Sequence, residues 1–125
     1  MSIAVLRKMF AEMVERKDAD AIDRFYDPEF VMYSNGVTQG YDQFAASHRA
    51  IYATPISYSV EYDEEAWVET ADRVAARVWI AISRPGESAT RVEVILLAAF
   101  KGSRITRVWE TTWPSWNALS EFENY

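Results

Sequence analysis

From Ile56 onward, apolar and polar residues alternate with the period of two that is typical of β-strands. Short connections rich in turn residues, Pro85-Gly86 and Lys101-Gly102-Ser103, divide this part of the chain. Connections of that length join antiparallel neighbours in a sheet. The pattern therefore predicts an antiparallel meander, in which a strand beginning near Ile56 is followed by strands over about Arg73–Arg84, Ala89–Phe100 and Arg104–Trp113.

The N-terminal part carries the helical period instead. Apolar residues spaced three or four apart between Ile3 and Val14 predict an amphipathic helix of about four turns. Asp18 can cap a second, short helix that stops at Asp27-Pro28. A third helix is predicted over about Tyr41–Ala53.

Between the second and third helices, Phe30–Tyr33 predicts a strand, and Asn35-Gly36 is a strong signal for a hairpin turn. Helices that precede a run of antiparallel strands indicate an α+β fold. No linker or repeat interrupts the 125 residues, so one domain over residues 1–125 is predicted.

Composition excludes several classes of function. The chain has no cysteine and one histidine, which excludes thiolate nucleophiles, zinc–sulfur sites and imidazole-rich metal sites. Its net charge of −6 argues against nucleic acid, and no apolar run reaches the roughly 20 residues of a membrane span. No glycine-rich phosphate loop is present. We therefore expect a cytoplasmic protein without metal or cofactor, whose partner is a small molecule or a protein.

The order of these elements resembles the nuclear-transport-factor-2-like superfamily. Three passages carry the local resemblance: residues 21–30, 40–44 and 103–110. The last of them is similar to the final strand of SnoaL-like polyketide cyclases and limonene-epoxide-hydrolase-like proteins. The resemblance implies a cone-shaped α+β barrel, with three N-terminal helices packed on a curved mixed or antiparallel sheet around a pocket. Such folds include isomerases, cyclases, dehydratases, hydrolases and non-catalytic binders.

Glu110 is the first candidate for a site in that pocket. It shares a strand face with Val108 and Thr112, and it resembles the catalytic carboxylate of the epoxide-hydrolase-like pattern. A carboxyl group between apolar walls loses hydration and can exchange a proton near neutral pH. The alternative is an ordinary surface glutamate, because Trp109 and Trp113 on the other face could be the buried side.

Arg77 is the second candidate. The same pattern has Arg-x-Asp on an inner strand, but here Trp79 stands in place of the aspartate. Without that proton donor, epoxide hydrolysis is argued against. Arg77 is expected to anchor a ligand carboxylate or to form a buried ion pair with Glu110, and the alternative is a salt bridge on the outer face.

His48 and Tyr33 are expected to assist by polarising a substrate carbonyl. His48 is the one side chain with a normal titration near neutral pH, and it shares a helical stripe with Phe44 and Tyr52. The alternative for His48 is a satisfied core or rim residue. Tyr33 lies on the first strand, where relatives position hydrogen-bond donors, whereas Asn35 is assigned to the turn.

The pocket wall is expected to include Trp79, Tyr52, Val108, Thr112 and Leu96, with Val92, Val94 and Ala98 beside Leu96. Ile95, Leu97 and Ala99 then form an outer apolar stripe, which relatives commonly cover by dimerising. A homodimer through the outer sheet face is therefore expected, with Arg91 and Glu93 as a salt bridge across it.

The expected function is a cofactor-independent isomerase, cyclase or dehydratase that acts on a small, mostly apolar substrate by carboxylate acid–base chemistry. Two alternatives stay open. The first is non-catalytic binding of a small hydrophobic ligand, and the second is a dimeric interaction module whose cone is filled by aromatic side chains.

Overall fold

The computed structural model describes residues 2–122. Its elements in chain order are helix α1 (Ser2–Met9), a π-helical segment (Phe10–Glu15), a 3-10 turn (Ala19–Ala21), helix α2 (Ile22–Phe25), strands β1 (Tyr26–Ser34) and β2 (Val37–Gly40), helix α3 (Tyr41–Tyr52), strands β3 (Ser57–Glu69), β4 (Arg73–Ser83), β5 (Thr90–Lys101) and β6 (Arg104–Trp113), and two 3-10 turns (Trp116–Ala118 and Ser120–Phe122).

The predicted first helix is continuous, but it changes from α to π winding after Met9. Its buried side chains face the sheet in both parts. Asp18 caps the next turn as predicted, because its Oδ1 accepts a hydrogen bond of 3.0 Å from the backbone N–H of Asp20. The third helix begins and ends within one residue of its predicted bounds.

The strands form one sheet in the order β2-β1-β6-β5-β4-β3. The predicted meander from β3 to β6 is confirmed, and all its neighbours are antiparallel. β1 joins β6 in parallel, which makes the sheet mixed and sets Ser34 opposite Glu110. The α+β arrangement of helices on a mixed sheet is thus confirmed, whereas the sheet stays open between its edges β2 and β3 and does not close into a barrel.

The inner face of the sheet packs on the helices. In β4 and β5 every second side chain is buried, including the four residues expected to line one wall, Val92, Val94, Leu96 and Ala98. Tyr26, Phe30 and Phe44 pack together, with ring centroids 4.7–4.8 Å apart. This aromatic cluster joins β1 to α3 and supports one end of the interior.

The outer face carries exposed apolar side chains. Ile95 is 51% exposed, Leu97 38%, Trp109 37% and Trp113 77%. Ala99 was expected in this stripe but is buried, at a register shift between β5 and β6. No helix among the described residues is long and apolar enough to cross a membrane.

Covering this face by a second copy stays a prediction. We expect the protein to sediment at about twice the 14.4 kDa of one chain, because exposed apolar patches of this kind favour association. Ile95→Lys should shift the protein to monomer, since it places a charge in the centre of the patch. Ala50→Lys, on the exposed side of α3, is the matched control and should leave the mass unchanged. A monomeric wild type in sedimentation equilibrium would contradict the prediction.

Candidate functional site

Helices and sheet enclose a cavity of about 420 Å³. Its walls are mostly apolar and come from the first helical segment, α3, all six strands and the C-terminal turns. The volume lies in the roughly 300–1,000 Å³ range of small-ligand pockets. Aromatic side chains therefore do not fill the interior, which removes the main support for the filled-cone alternative.

Glu110 lies in the cavity wall and is half-buried. Its Oε2 accepts hydrogen bonds from Ser34 Oγ at 2.7 Å and from the indole Nε1 of Trp116 at 2.8 Å. Oε1 accepts none from the residues that the structure describes. One carboxylate oxygen is thus held in place, and the other is available to a ligand.

Burial raises the pKa of Glu110 above its ordinary value, although the hydrogen bonds from Ser34 and Trp116 oppose the shift by favouring the charged form. Within the described residues, Glu110 is the single carboxylate that lines the cavity. The site therefore offers one proton acceptor or donor whose proton affinity is increased by its surroundings.

His48 also lines the cavity, as expected from its helical stripe. Its Nδ1 is 2.8 Å from the backbone oxygen of Phe44. Since a carbonyl oxygen can only accept, Nδ1 carries the proton and Nε2 is an acceptor in the neutral ring. Burial lowers the pKa of His48, with the bond to Phe44 acting in the opposite direction. The neutral ring cannot donate to a carbonyl from Nε2, so the expected polarising role does not fit this geometry.

Three tyrosines supply hydroxyl groups to the wall: Tyr26, Tyr52 and Tyr58. Burial raises the pKa of Tyr58 to about 12 and raises that of Tyr52 further, so both remain donors at neutral pH. The pKa of Tyr26 is also raised, first by burial and then by the nearby Tyr52 and Glu110. Tyr26 is therefore a phenol within electrostatic range of the cavity carboxylate.

The structure corrects the prediction that Arg77 and Trp79 face the cavity. Both belong to the outward-facing parity of β4, whose other side chains are buried under the helices. Arg77 binds Asp63 at 2.9 Å and Glu93 at 2.6 Å, and its guanidinium lies 4.4 Å from the ring centre of Trp79. The expected pair with Glu110 is not formed, because the two side chains lie on opposite faces of the sheet.

On the outer face of the sheet, Arg91 and Glu93 form salt bridges with other residues of the same chain. Glu93 is bound by Arg77, and Arg91 binds Glu61 at 2.9 Å. Arg91 also stacks on Trp79 at 4.3 Å. Arg91 and Glu93 thus have partners inside one chain, and a salt bridge across an interface stays a prediction.

Tyr33 is a further correction. It points outward from β1, is 38% exposed, and stacks on Trp109 with ring centres 5.9 Å apart. Its neighbours Met32 and Ser34 face the cavity instead. The alternation of the strand explains the error, because adjacent residues point to opposite faces.

Asn35 is in the turn as predicted, with a positive φ of 50°, but it also contributes to the cavity wall. Its side-chain amide makes two hydrogen bonds of 2.8 Å with Thr112. Nδ2 donates to the Thr112 hydroxyl, and Oδ1 accepts from the Thr112 backbone N–H. Thr112 donates its own hydroxyl proton to the oxygen of Pro114 at 3.0 Å. Thr112 is not among the residues that line the cavity, against expectation.

Leu96, Tyr52 and Val108 line the cavity as expected. Sequence reasoning missed the roles of Ser34 and Trp116, which bind Glu110, and did not single out Tyr26 as a site residue. Ser34 could have been found from strand alternation, had the parity of β1 been known. Trp116 follows the last predicted strand, and no periodic signal places it.

Comparisons with known proteins agree with this architecture. A family model described as a SnoaL-like domain matches residues 6–108. No curated protein matches the sequence significantly. The match ends at Val108, two residues before Glu110.

Solved structures show the same fold. An LEH-like epoxide hydrolase of M. tuberculosis superposes with a TM-score of 0.74 at 16% identity, covering 89% of this chain and 81% of that one. IdmH, a candidate polyketide cyclase of Streptomyces antibioticus, gives 0.67 at 14% identity, covering 90% and 91%. AclR, a candidate hydroxylase of Streptomyces galilaeus, gives 0.71 at 18% identity, covering 89% and 77%. With the family match and the arrangement of helices on the mixed sheet, the chain belongs to the SnoaL-like domain family of the nuclear-transport-factor-2-like superfamily.

Proposed function

We propose that the cavity binds a small, mostly apolar carbonyl compound and that Glu110 transfers a proton on it. This is the chemistry of isomerases, cyclases and dehydratases that need no cofactor. The observation that supports it is the position of Glu110: a carboxylate with raised pKa in an apolar cavity, held through one oxygen and open at the other.

The proposed step begins with ionised Glu110. Its free oxygen takes a proton from the carbon next to the carbonyl, and the electron pair of the broken C–H bond moves to the carbonyl oxygen. The resulting enolate then recovers a proton from Glu110 at the same or another carbon. Apolar walls favour this transfer, since they bring the pKa of the carboxyl closer to the working pH.

Tyr26 is the proposed donor to the developing oxyanion. Its hydroxyl donates to no acceptor among residues 2–122, and it remains protonated because its pKa is raised. A buried donor aimed at the oxyanion stabilises the charge that appears in the transition state. His48 is proposed to shape the wall and to accept a hydrogen bond from the ligand at Nε2.

Non-catalytic binding of a small hydrophobic ligand is the second candidate. The observation in its favour is that Glu110 has no other carboxylate beside it in the described cavity wall. A single carboxylate suffices for proton shuttling, whereas hydrolysis of an epoxide through two carboxylates does not fit. Binding without proton transfer would separate the two candidates.

Isomers of decalone and tetralone are suitable probes, since they are apolar and carry exchangeable protons beside a carbonyl. We expect at least one to raise the melting temperature of the protein in a thermal-shift assay. In D₂O the same ketone should gain deuterium faster with protein than with buffer alone, as measured by NMR. Stabilisation without faster exchange would support non-catalytic binding. If the ketones cause neither stabilisation nor faster exchange, the proposal is contradicted for this class of ligand.

A further inference from the structure

The segment Pro114–Phe122, here called the C-terminal cap, forms part of the cavity wall. Ser115, Trp116, Asn117 and Phe122 all line the cavity. The cap contains two short 3-10 turns, and among the described residues it adds no strand to the sheet. The cap therefore lacks the ladder hydrogen bonds that hold the cavity walls formed by strands.

Side chains at the connection between β4 and β5 hold the cap from outside. Arg84 donates from Nε to the oxygen of Glu121 at 3.0 Å and from Nη2 to the oxygen of Ser120 at 2.8 Å. The hydroxyl of Thr90 donates to the Glu121 carboxylate, which is buried with 6% exposure. We call this group, Arg84, Thr90 and Glu121, the latch.

Inside the cavity, one hydrogen bond ties the cap to Glu110. It is the 2.8 Å bond from the Trp116 indole to Oε2. Ser34 makes the other bond to that oxygen from β1, within the sheet. Glu110 is thus held between a strand of the sheet and the cap, which the latch and the buried side chain of Leu119 hold in place.

We propose that the C-terminal cap is a lid that opens at the latch to admit the ligand, and that Trp116 is a positioning residue that orients Glu110 when the lid is closed. The positioning role rests on the proposed function of Glu110, whereas the lid does not. The latch bonds involve a guanidinium and a carboxylate, so they are stronger than neutral hydrogen bonds.

Opening exposes the Trp116 indole N–H, whose exchange with solvent can be followed by NMR. Arg84→Ala removes two bonds to the cap and should speed that exchange by about tenfold or more. Arg91→Ala is the matched control, because Arg91 pairs with Glu61 on the outer face. It should leave the Trp116 rate unchanged.

The Trp67 indole in the same spectrum reports on the rest of the molecule. Its N–H is buried and should stay slow in every variant. If Arg84→Ala speeds Trp67 as much as Trp116, or speeds neither, the lid is overturned. Thr90→Val repeats the test with a smaller change should Arg84→Ala fail to fold.

Trp116→Phe tests the positioning role, since it keeps an aromatic ring and removes the donor. NMR titration of the Glu110 carboxyl carbon should give a higher pKa than in wild type, because the charged form loses a hydrogen bond. Ser34→Ala, which removes the other donor, should shift it in the same direction. An unchanged pKa in Trp116→Phe would overturn the positioning role, even if ketone exchange is observed. Neither the Trp116 indole exchange nor the Glu110 titration requires a ketone, so both tests can still be read if no ketone exchange is observed.

Discussion

Glu110→Gln is expected to slow deuterium exchange into a bound ketone by about 10²–10⁴-fold, the usual contribution of a positioned acid–base group. Glutamine keeps the size of the side chain and an oxygen that can accept from Ser34 and Trp116. It cannot take a proton. We therefore expect KM to change little while kcat falls, because the variant loses an interaction of the transition state.

The pH dependence of kcat/KM tests the same role of Glu110, and its direction is fixed. As a base, Glu110 works in its ionised form, so kcat/KM should fall as the pH falls through the Glu110 pKa. Burial raises that pKa, which places the acidic limb at higher pH than for an exposed glutamate. Glu110→Gln should lose this limb altogether.

Stability provides a control for this variant. The raised pKa means that the native state binds the Glu110 proton more tightly than the unfolded state does. Stability from this group is therefore present at low pH and is lost as the pH rises through the folded-state pKa. Glu110→Gln avoids that loss, so it should be at least as stable as wild type at neutral pH.

Tyr26→Phe and His48→Asn separate the remaining roles in the cavity. Tyr26→Phe keeps the ring between Phe30 and Phe44 and should lower kcat, since the oxyanion loses its donor. His48→Asn should act mainly on ligand binding. A Glu110→Gln protein that exchanges the ketone at the wild-type rate would refute the proposed role of Glu110.

Phe30→Ala is expected to have the largest effect on stability, about 3–5 kcal/mol of the free energy of unfolding. Phe30 is 1% exposed, and its ring meets Tyr26 and Phe44 at 4.7–4.8 Å. Removing it leaves a cavity where β1 and α3 join. Domains of this size are stable by only about 5–15 kcal/mol, so the loss is a large share of the total.

Urea unfolding monitored by circular dichroism measures this effect. Val68→Ala is the control, because it removes an apolar side chain from β3 that is 62% exposed. It should change the free energy of unfolding by no more than about 0.5 kcal/mol. A loss below about 1 kcal/mol for Phe30→Ala would show that the cluster can collapse around the gap.

The meander and the helices could be predicted from sequence because period and turn residues are local properties. The same alternation put Glu110 and Val108 on one face, and the family resemblance identified that face as the inner one. Alternation could not decide the face of Arg77, because an arginine is compatible with either side. The choice depended on acidic partners, Asp63 and Glu93, which adjacent strands bring to the outer face.

The remaining features depend on contacts between distant parts of the chain. β1 is predicted as a strand, but its parallel pairing with β6 follows from packing and not from a turn. That pairing decides that Ser34, rather than Tyr33, meets Glu110. Trp116 comes to the site through a latch whose partners, Arg84 and Thr90, are far away in sequence.

The open sheet leaves β3 as a free edge of thirteen residues, a length that invites the chain to pair with itself. The strand carries five carboxylates, and charged side chains on an edge oppose such pairing. They are Glu61, Asp63, Glu64, Glu65 and Glu69. Glu15 from the π-helical segment also covers the edge, since its Oε2 accepts from the backbone N–H of Val60 at 3.0 Å. Another strand that approaches this edge would have to desolvate charged side chains and would meet an N–H that is already bonded, which opposes pairing with a second copy.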